Sequence, residues 1–253
     1  MLTVQRKQLL LARLARDGQL VAKLLSRELD ISEDTIRRDL RELAAEGKLQ
    51  RVHGGALPAS AATGDMLVRQ DLAADDKAAL GRAGAAMVRS GQLVILDGGT
   101  TALQVARHLA PGLRASIVTH SPTVAVELAR HPHVEILMLG GRLFRHSMVN
   151  VGASVMEAAT LLSADLYFMG VTGVHARTGL STGDHEEAAV KRALHKRAAE
   201  TVVLASREKL GAASAFAIVP LKQIAMLVVP PGTPAKLLRG FKAGGLNVVV
   251  APG

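Results

Sequence analysis

The sequence has no cysteine and no tryptophan, and only one tyrosine and four phenylalanines among its 253 residues. Without cysteine, a disulfide framework and thiolate-bound metal are excluded, and a reducing compartment, the cytoplasm, is the expected location. So few aromatic rings give unpaired bases little to stack on, which argues against single-stranded nucleic acid as a partner. Long apolar runs are missing too. Each is broken by charge or glycine well short of the roughly 18 residues a membrane span requires, and the N-terminus has no apolar signal core, so neither a membrane partner nor export is expected.

What is present is 49% hydrophobic and 21% charged, enough for a sizeable α/β core with a small appended unit. The net charge of +9 favours an anionic partner. Its distribution does not locate that partner: residues 1–55 carry 11 basic and 8 acidic side chains, and the remainder carries 20 and 14.

The most informative stretch is 32–55. Ser32 is placed to cap a helix on which Ile36, Leu40 and Leu43 recur on one face, leaving Thr35, Arg37, Arg38 and Arg41 on the others. Upstream, Leu9, Leu10 and Leu14 form one apolar stripe and Leu24, Leu25 and Leu29 a second, with a turn at Asp30 and Ile31; this is the order of a helix-turn-helix. Gly47 ends the third helix. Residues 49–52 then suit a strand and His53-Gly54-Gly55 a tight turn, a wing that would lay Lys48, Arg51 and His53 along phosphates. On its own, a short helix bearing Arg-Arg also fits a solvated face, or a contact surface for protein alone.

Residues 56–65 have little periodicity and contain proline and glycine, as a linker would. The expected division is a winged helix-turn-helix over 1–56, a linker over 57–76 and an α/β domain over 77–253. In the last, strands are expected at 93–96, 116–118, 134–139, 166–169, 201–205, 225–229 and 246–250. They alternate with helices at 102–109, 123–130, 153–162, 186–199 and 235–242, a pattern that argues for a mostly parallel sheet covered by helices. Ligands of such sheets sit beyond the carboxyl ends of the strands. There the chain places Asp97-Gly98-Gly99-Thr100-Thr101, Thr119-His120-Ser121, Gly140-Gly141, and Gly170 with Gly173. A glycine turn opening a helix can cradle an anion, or be an ordinary strand-to-helix joint. Similarly, Glu187 with Lys191 is either a helix ion pair or part of a site, and Lys209 either a loop lysine or a ligand contact.

The segment Ser32, Thr35, Ile36, Arg37, Arg38, Asp39, Leu40, followed by Gly47, Arg51, His53, Gly54, Gly55 and Ala56, resembles the N-terminal domain of DeoR-family bacterial transcriptional regulators. The likeness continues over roughly 77–221. It takes in Asp97, Gly99, Thr100 and Thr101; Thr119 and Ser121; Gly140 and Gly141; Ala164, Asp165, Gly170 and Gly173; Glu187 and Lys191; and Ser206 and Lys209. The resemblance implies a sensor domain with the ribose-phosphate isomerase fold. It also implies binding of a phosphorylated sugar or related metabolite, homo-oligomers on double-stranded operator DNA, and repression relieved by the ligand. Two positions depart from the family pattern. His120 replaces the usual Asn, which would make binding pH-dependent if its ring faces the ligand, and Val229-Pro230-Pro231-Gly232 replaces Thr-Asp.

An isomerase would need paired carboxylates after the fourth strand, where this chain has Met169-Gly170-Val171-Thr172-Gly173. The acids Asp184, Glu186 and Glu187, near His185, suit a helix N-terminus instead. No two histidines show metal-site spacing with a carboxylate, so neither a metal nor a cofactor is expected.

Overall fold

The Ser32 hydroxyl accepts a hydrogen bond from the Thr35 amide at 3.2 Å, capping the helix the sequence predicts there. The structure, a computed structural model, describes residues 2–63 and 65–253. The N-terminal module runs α1 (Thr3–Asp17), β1 (Leu20–Val21), α2 (Ala22–Leu29), α3 (Glu33–Ala45), β2 (Leu49–Val52) and β3 (Gly55–Pro58). Its three strands form a small antiparallel sheet in the order β1-β3-β2. The approach of β3 to β1 is close enough to require Gly55: a Cβ there would lie 1.8 Å from the Leu20 carbonyl oxygen.

Leu10, Leu14, Leu25, Ile36, Leu40, Leu43 and Leu49 fill the core of this module. One expected core position is corrected. Leu24 is 53% exposed, because α2 begins at Ala22 and turns Ala22, Leu25 and Leu29 inward instead. Beneath α3, Arg6 of α1 forms a bidentate pair with Asp39, through Nε and, at 3.1 Å, Nη2; both side chains are buried.

The stretch expected as a linker, 57–76, is more structured than its composition indicated. Strand β3 continues through Pro58, paired with Leu49, and helix α4 covers Met66–Asp71. Helix α5 (Ala74–Ala85) then begins before residue 77. Tertiary contacts supply the order that local pattern lacked. The Ala213 amide donates to the Pro58 carbonyl at 3.2 Å, the Ser60 hydroxyl donates to the Thr172 carbonyl, and the Met66 amide donates to the His146 carbonyl at 3.1 Å.

The larger domain continues with β4 (Leu93–Leu96), α6 (Thr100–Arg107), β5 (Ser116–Thr119), α7 (Pro122–Leu128), β6 (Glu135–Met138), β7 (Arg142–Phe144), β8 (Val149–Val151) and α8 (Ala153–Thr160). There follow β9 (Ala164–Met169), β10 (Gly173–His175), β11 (Gly179–Thr182), α9 (His185–His195), β12 (Ala198–Leu204), β13 (Phe216–Ala217), β14 (Met226–Val229), α10 (Ala235–Ala243) and β15 (Val248–Val250). All seven expected strands fall in one parallel sheet, ordered β15-β14-β12-β9-β4-β5-β6, with an apolar core on each face. The fold class is therefore mixed α/β with an N-terminal winged helix-turn-helix. The helix expected over 186–199 stops at His195, because Ala198 already pairs with Ala164 in the sheet. Two short antiparallel units, β7-β8 and β10-β11-β13, were not expected. Among the described residues no helix is long and apolar enough to cross a membrane.

Replacing Asp39 with Ala would leave the Arg6 guanidinium buried without its partner, a change that costs about 3–5 kcal/mol. Removing the exposed partner of Arg37 by Glu33→Ala should cost under about 1 kcal/mol. Urea unfolding of the two variants is expected to separate them in this order. Equal losses would mean that the buried pair does not hold the module together.

Candidate functional site

Two regions gather the residues singled out by sequence. The first lies on the N-terminal module, where Asp34, Thr35, Arg37, Arg38 and Arg41 of α3 and Arg51 of β2 line one concavity. The helix spacing and the β2-β3 hairpin bring these four arginines together. All four are exposed, and Arg37 is in addition held by Glu33 at 2.6 Å one turn earlier. The Thr35 and Ser32 hydroxyls lie 2.9 Å apart, engaged in the cap. Lys48 and His53 are exposed but do not line this concavity, and Lys48 is paired with Glu46 at 2.7 Å.

The second region lies at the carboxyl ends of the strands. Gly98, Gly99, Thr100 and Thr101 turn from β4 into α6, whose N-terminus carries no side-chain cap. Glycine is required at 98, since a Cβ would meet Val149 Cγ1 at 2.2 Å. At 99 a φ of 100° demands it. These four residues line a cavity with Glu187, Lys191 and Lys209, all seven of them expected, and with Arg69, Lys77, Ser147, Thr172 and Glu208, which were not. Arg69 and Lys77 were overlooked because they sit on α4 and α5, within or beside the presumed linker. Their spacing of eight residues on polar segments gave no signal.

The remaining expected residues do not line the cavity, and the reason differs by group. Asp97, Thr119, His120 and Ser121 are fully buried beneath it. The Asp97 carboxylate accepts from the Gly98 amide (2.7 Å), His120 Nε2 (2.7 Å), the Tyr167 hydroxyl (2.7 Å), the Gly170 amide (2.8 Å) and Lys191 Nζ (2.8 Å). Burial would raise its pKa, but Lys191 and His120 overcome that and hold it well below the usual carboxylate range. The His120 ring faces Asp97 and, at 2.8 Å through Nδ1, the Asn150 carbonyl; it does not face the cavity. The premise for a pH-dependent ligand contact at His120 is thus removed. Gly140 and Gly141 are exposed elsewhere, and Gly173 packs against Ser181 and Ala212, where a Cβ would find 2.7–2.8 Å contacts.

The cavity is cationic at a cost. Burial pulls Lys209 down to a pKa of about 8, with Glu208 pulling the other way, and burial also lowers Lys77 and Arg69. Lys191 behaves oppositely: burial lowers it, but Asp97 and Glu187 (3.1 Å) raise it further. Asp184 is the N-cap of α9, accepting from the Glu187 amide at 2.9 Å, in keeping with the helix-terminus role expected of this acidic group. Among the described residues no group of three or more His, Cys, Asp or Glu side chains is arranged to hold a metal ion.

Residues 72–230 match the DeoR C terminal sensor domain, and residues 6–61 match the DeoR-like helix-turn-helix domain. The HTH-type transcriptional regulator GlpR of Haloferax volcanii is 30% identical over 251 residues, covering 98% of each chain. The HTH-type transcriptional repressor GlcR of Bacillus subtilis is 30% identical over 202 residues, covering 79% of this chain and 78% of its own. A ribose 5-phosphate isomerase A from Methanocaldococcus jannaschii superposes with a TM-score of 0.40 at 18% identity, covering 54% of each chain. A match that loose leaves the isomerase likeness resting on the sequence pattern.

The folded pKa of Lys209 lies below the ordinary lysine value of 10.5, so the buried ammonium costs stability at neutral pH. That cost is relieved as pH rises from about 8 toward 10.5, where the unfolded chain binds the proton and the folded one does not. Lys209→Met should therefore raise stability at pH 7, by on the order of 1–3 kcal/mol, while weakening anion binding. For the unmodified chain, anion affinity is expected to fall as pH passes about 8. Calorimetric titration with phosphate at pH 7 and 9, beside thermal melts, checks both signs. A Lys209→Met protein less stable than its parent at pH 7 would contradict the account.

Proposed function

Because the chain belongs to the DeoR family of helix-turn-helix transcriptional regulators, we propose that it is a repressor of carbohydrate-metabolism genes. It grips double-stranded operator DNA with the N-terminal module and is released when a phosphorylated sugar or related metabolite fills the cavity at α6. The observation that carries this reading is that one chain holds two cationic concavities of different character. The exposed one is rimmed by arginines, whose forked donors match base edges and phosphates. The buried one joins Lys77, Lys209 and Arg69 to an uncapped helix N-terminus, a preformed anion site.

In this reading Arg38 and Arg41 meet operator bases or phosphates, with Thr35 and Arg37 beside them. Arg51, with Lys48 and His53, holds the wing on the backbone. Within the cavity the phosphate sits at Gly98–Thr101 and Lys209. Asp97, Thr119, His120 and Ser121 support that surface from below. One such module reads few base pairs, so homo-oligomers presenting several modules to repeated half-sites are part of the proposal, as is a cytoplasmic location.

In this reading neither Asp97 nor Glu187 serves as a catalytic base. Proton transfer between adjacent carbons needs a carboxylate with lone pairs free for the substrate. Both oxygens of Asp97 are saturated. The Glu187 oxygens are engaged by Lys191 (3.1 Å), Thr182 (3.1 Å) and Ser147 (3.3 Å).

A mobility-shift assay on the DNA flanking its own gene, at fixed and stated salt, tests the proposal when titrated with ribose 5-phosphate, glucose 6-phosphate, fructose 6-phosphate and glucosamine 6-phosphate. A specific complex should form and be dissolved by one of these. Arg38→Ala should weaken it by roughly 10- to 100-fold, while Arg51→Ala should lower the salt slope by about one. No retarded band at low salt would overturn the DNA-binding reading; a band unmoved by any sugar phosphate would overturn the effector.

A further inference from the structure

Among the described residues, three buried side-chain atoms have no hydrogen-bond partner: Arg69 Nε, Thr101 Oγ1 and Glu208 Oε2. All three belong to residues that line the α6 cavity. Leaving a buried polar atom unpaired costs about 1–3 kcal/mol. Three together in one cavity therefore describe what its occupant must offer. Arg69 Nε can only donate, the Thr101 hydroxyl can donate or accept, and a carboxylate oxygen can only accept. A bare anion satisfies the first two and presents Glu208 with nothing but further acceptors.

We propose that Glu208 is a specificity-determining residue that accepts a hydrogen bond from an O–H or N–H group on the carbon skeleton of the bound phosphorylated ligand. The cavity then reads an anion and a donor at once, and rejects phosphate compounds that lack the donor. The inference rests on the cavity being the effector site, as proposed above, and adds to it the residue that distinguishes one effector from another. Glu208 lies in the short turn Arg207–Lys209 that follows β12, immediately beside Lys209. The Ser206 hydroxyl donates to Oε1 at 2.6 Å, which fixes the carboxylate and leaves Oε2 unpaired. A competing role is that of a simple counter-charge, since Glu208 supports the charged forms of Lys77 and Lys209 against burial.

Glu208→Gln separates the two roles, because the amide can retain an oxygen for Ser206 while turning N–H donors toward the cavity. Full-length wild type and variant are titrated calorimetrically with inorganic phosphate, glucose 6-phosphate, glucosamine 6-phosphate and 2-deoxyglucose 6-phosphate, and with ribose 5-phosphate and fructose 6-phosphate. For the sugar phosphate that binds wild type best, the variant should lose roughly 10- to 100-fold in affinity. Inorganic phosphate should bind the variant as well as, or more tightly than, the parent, because a negative charge has left the cavity. The glucose, glucosamine and 2-deoxyglucose probes show whether the donor at that carbon is a hydroxyl or an amine. Glu208→Asp, which keeps the carboxylate one methylene further back, should restore part of the loss.

Equal tightening of every probe in Glu208→Gln would reduce Glu208 to a counter-charge and overturn the inference. So would conversion of a sugar phosphate by wild type that the variant abolishes, since Glu208 would then be a base. If no sugar phosphate binds wild type more tightly than inorganic phosphate, the effector reading itself falls and this inference with it. Thermal midpoints of the variants guard against misfolding, and should Glu208→Gln not fold, Glu208→Ala carries the same comparison.

Discussion

Five donors reach the Asp97 carboxylate from the turn after β4, the end of β5, strand β9, the turn after β9 and helix α9. A buried carboxylate is tolerated only when its lone pairs are filled and its charge is matched, and here both conditions are met by groups that also define the ligand side of the sheet. The consequences spread outward. Lys191, drawn onto Asp97, holds Glu187 in turn, and Glu187 takes the Thr182 and Ser147 hydroxyls. His120 continues the chain to the Asn150 carbonyl, and the Asn150 side chain donates to the Leu139 carbonyl at 2.8 Å. The carboxyl ends of β4, β5 and β9 are thus fixed relative to one another and to α9 before any ligand arrives. That is the preorganisation an anion site needs.

The same network explains which parts of the site could be read from sequence. Asp97, Thr119, His120 and Ser121 stood out because they are polar residues at strand ends, and polarity at a strand end signals either contact with ligand or support of it. Pattern alone does not separate the two. Burial does, by placing His120 under the cavity, where its substitution for Asn alters the support rather than the surface. The seven buried strands were legible because each is an apolar run bounded by turn residues. Helix α4 and the short ribbons were not, because their order comes from long-range bonds such as Met66 to His146, which leave no period in the chain. Arg69 and Lys77 went unseen for the same reason: their role is set by where the fold carries α4 and α5, not by neighbours in sequence.

Those two residues also lie on the chain that joins the modules. The stretch from β3 to α5 joins the winged helix-turn-helix to the sheet domain, and Ala62, Arg69, Leu72 and Lys77 within it line the cavity. A second cavity lies directly between the modules, bounded by Ala44, Gly47, Leu49 and Gln50 on one side and by Phe144, His146, Asp184 and Ala213 on the other. The two cavities share Ser147, Thr172 and Glu187 as lining residues. Thr172 is also the residue whose carbonyl takes the Ser60 hydroxyl.

A ligand shifts an equilibrium between arrangements only through a difference in its affinity for them, and coupling of 1–3 kcal/mol, about 5- to 150-fold, is typical. Such a difference arises naturally when the joint between modules is itself part of the binding surface. In the proposed reading, an occupant that takes a hydrogen bond from Arg69 Nε, or changes the surroundings of Lys77, would favour one setting of α4 and α5 over another. Lys77 Nζ donates to the Arg69 carbonyl, which ties the two helices together. In that reading no relay across the sheet is needed, and the Asp97 network would be the fixed surface against which the joint is held. Burial, joined by repulsion from Lys77, Arg69 and Lys191, holds Lys209 below the ordinary lysine value, and in the proposed reading an anion in the cavity would relieve that repulsion.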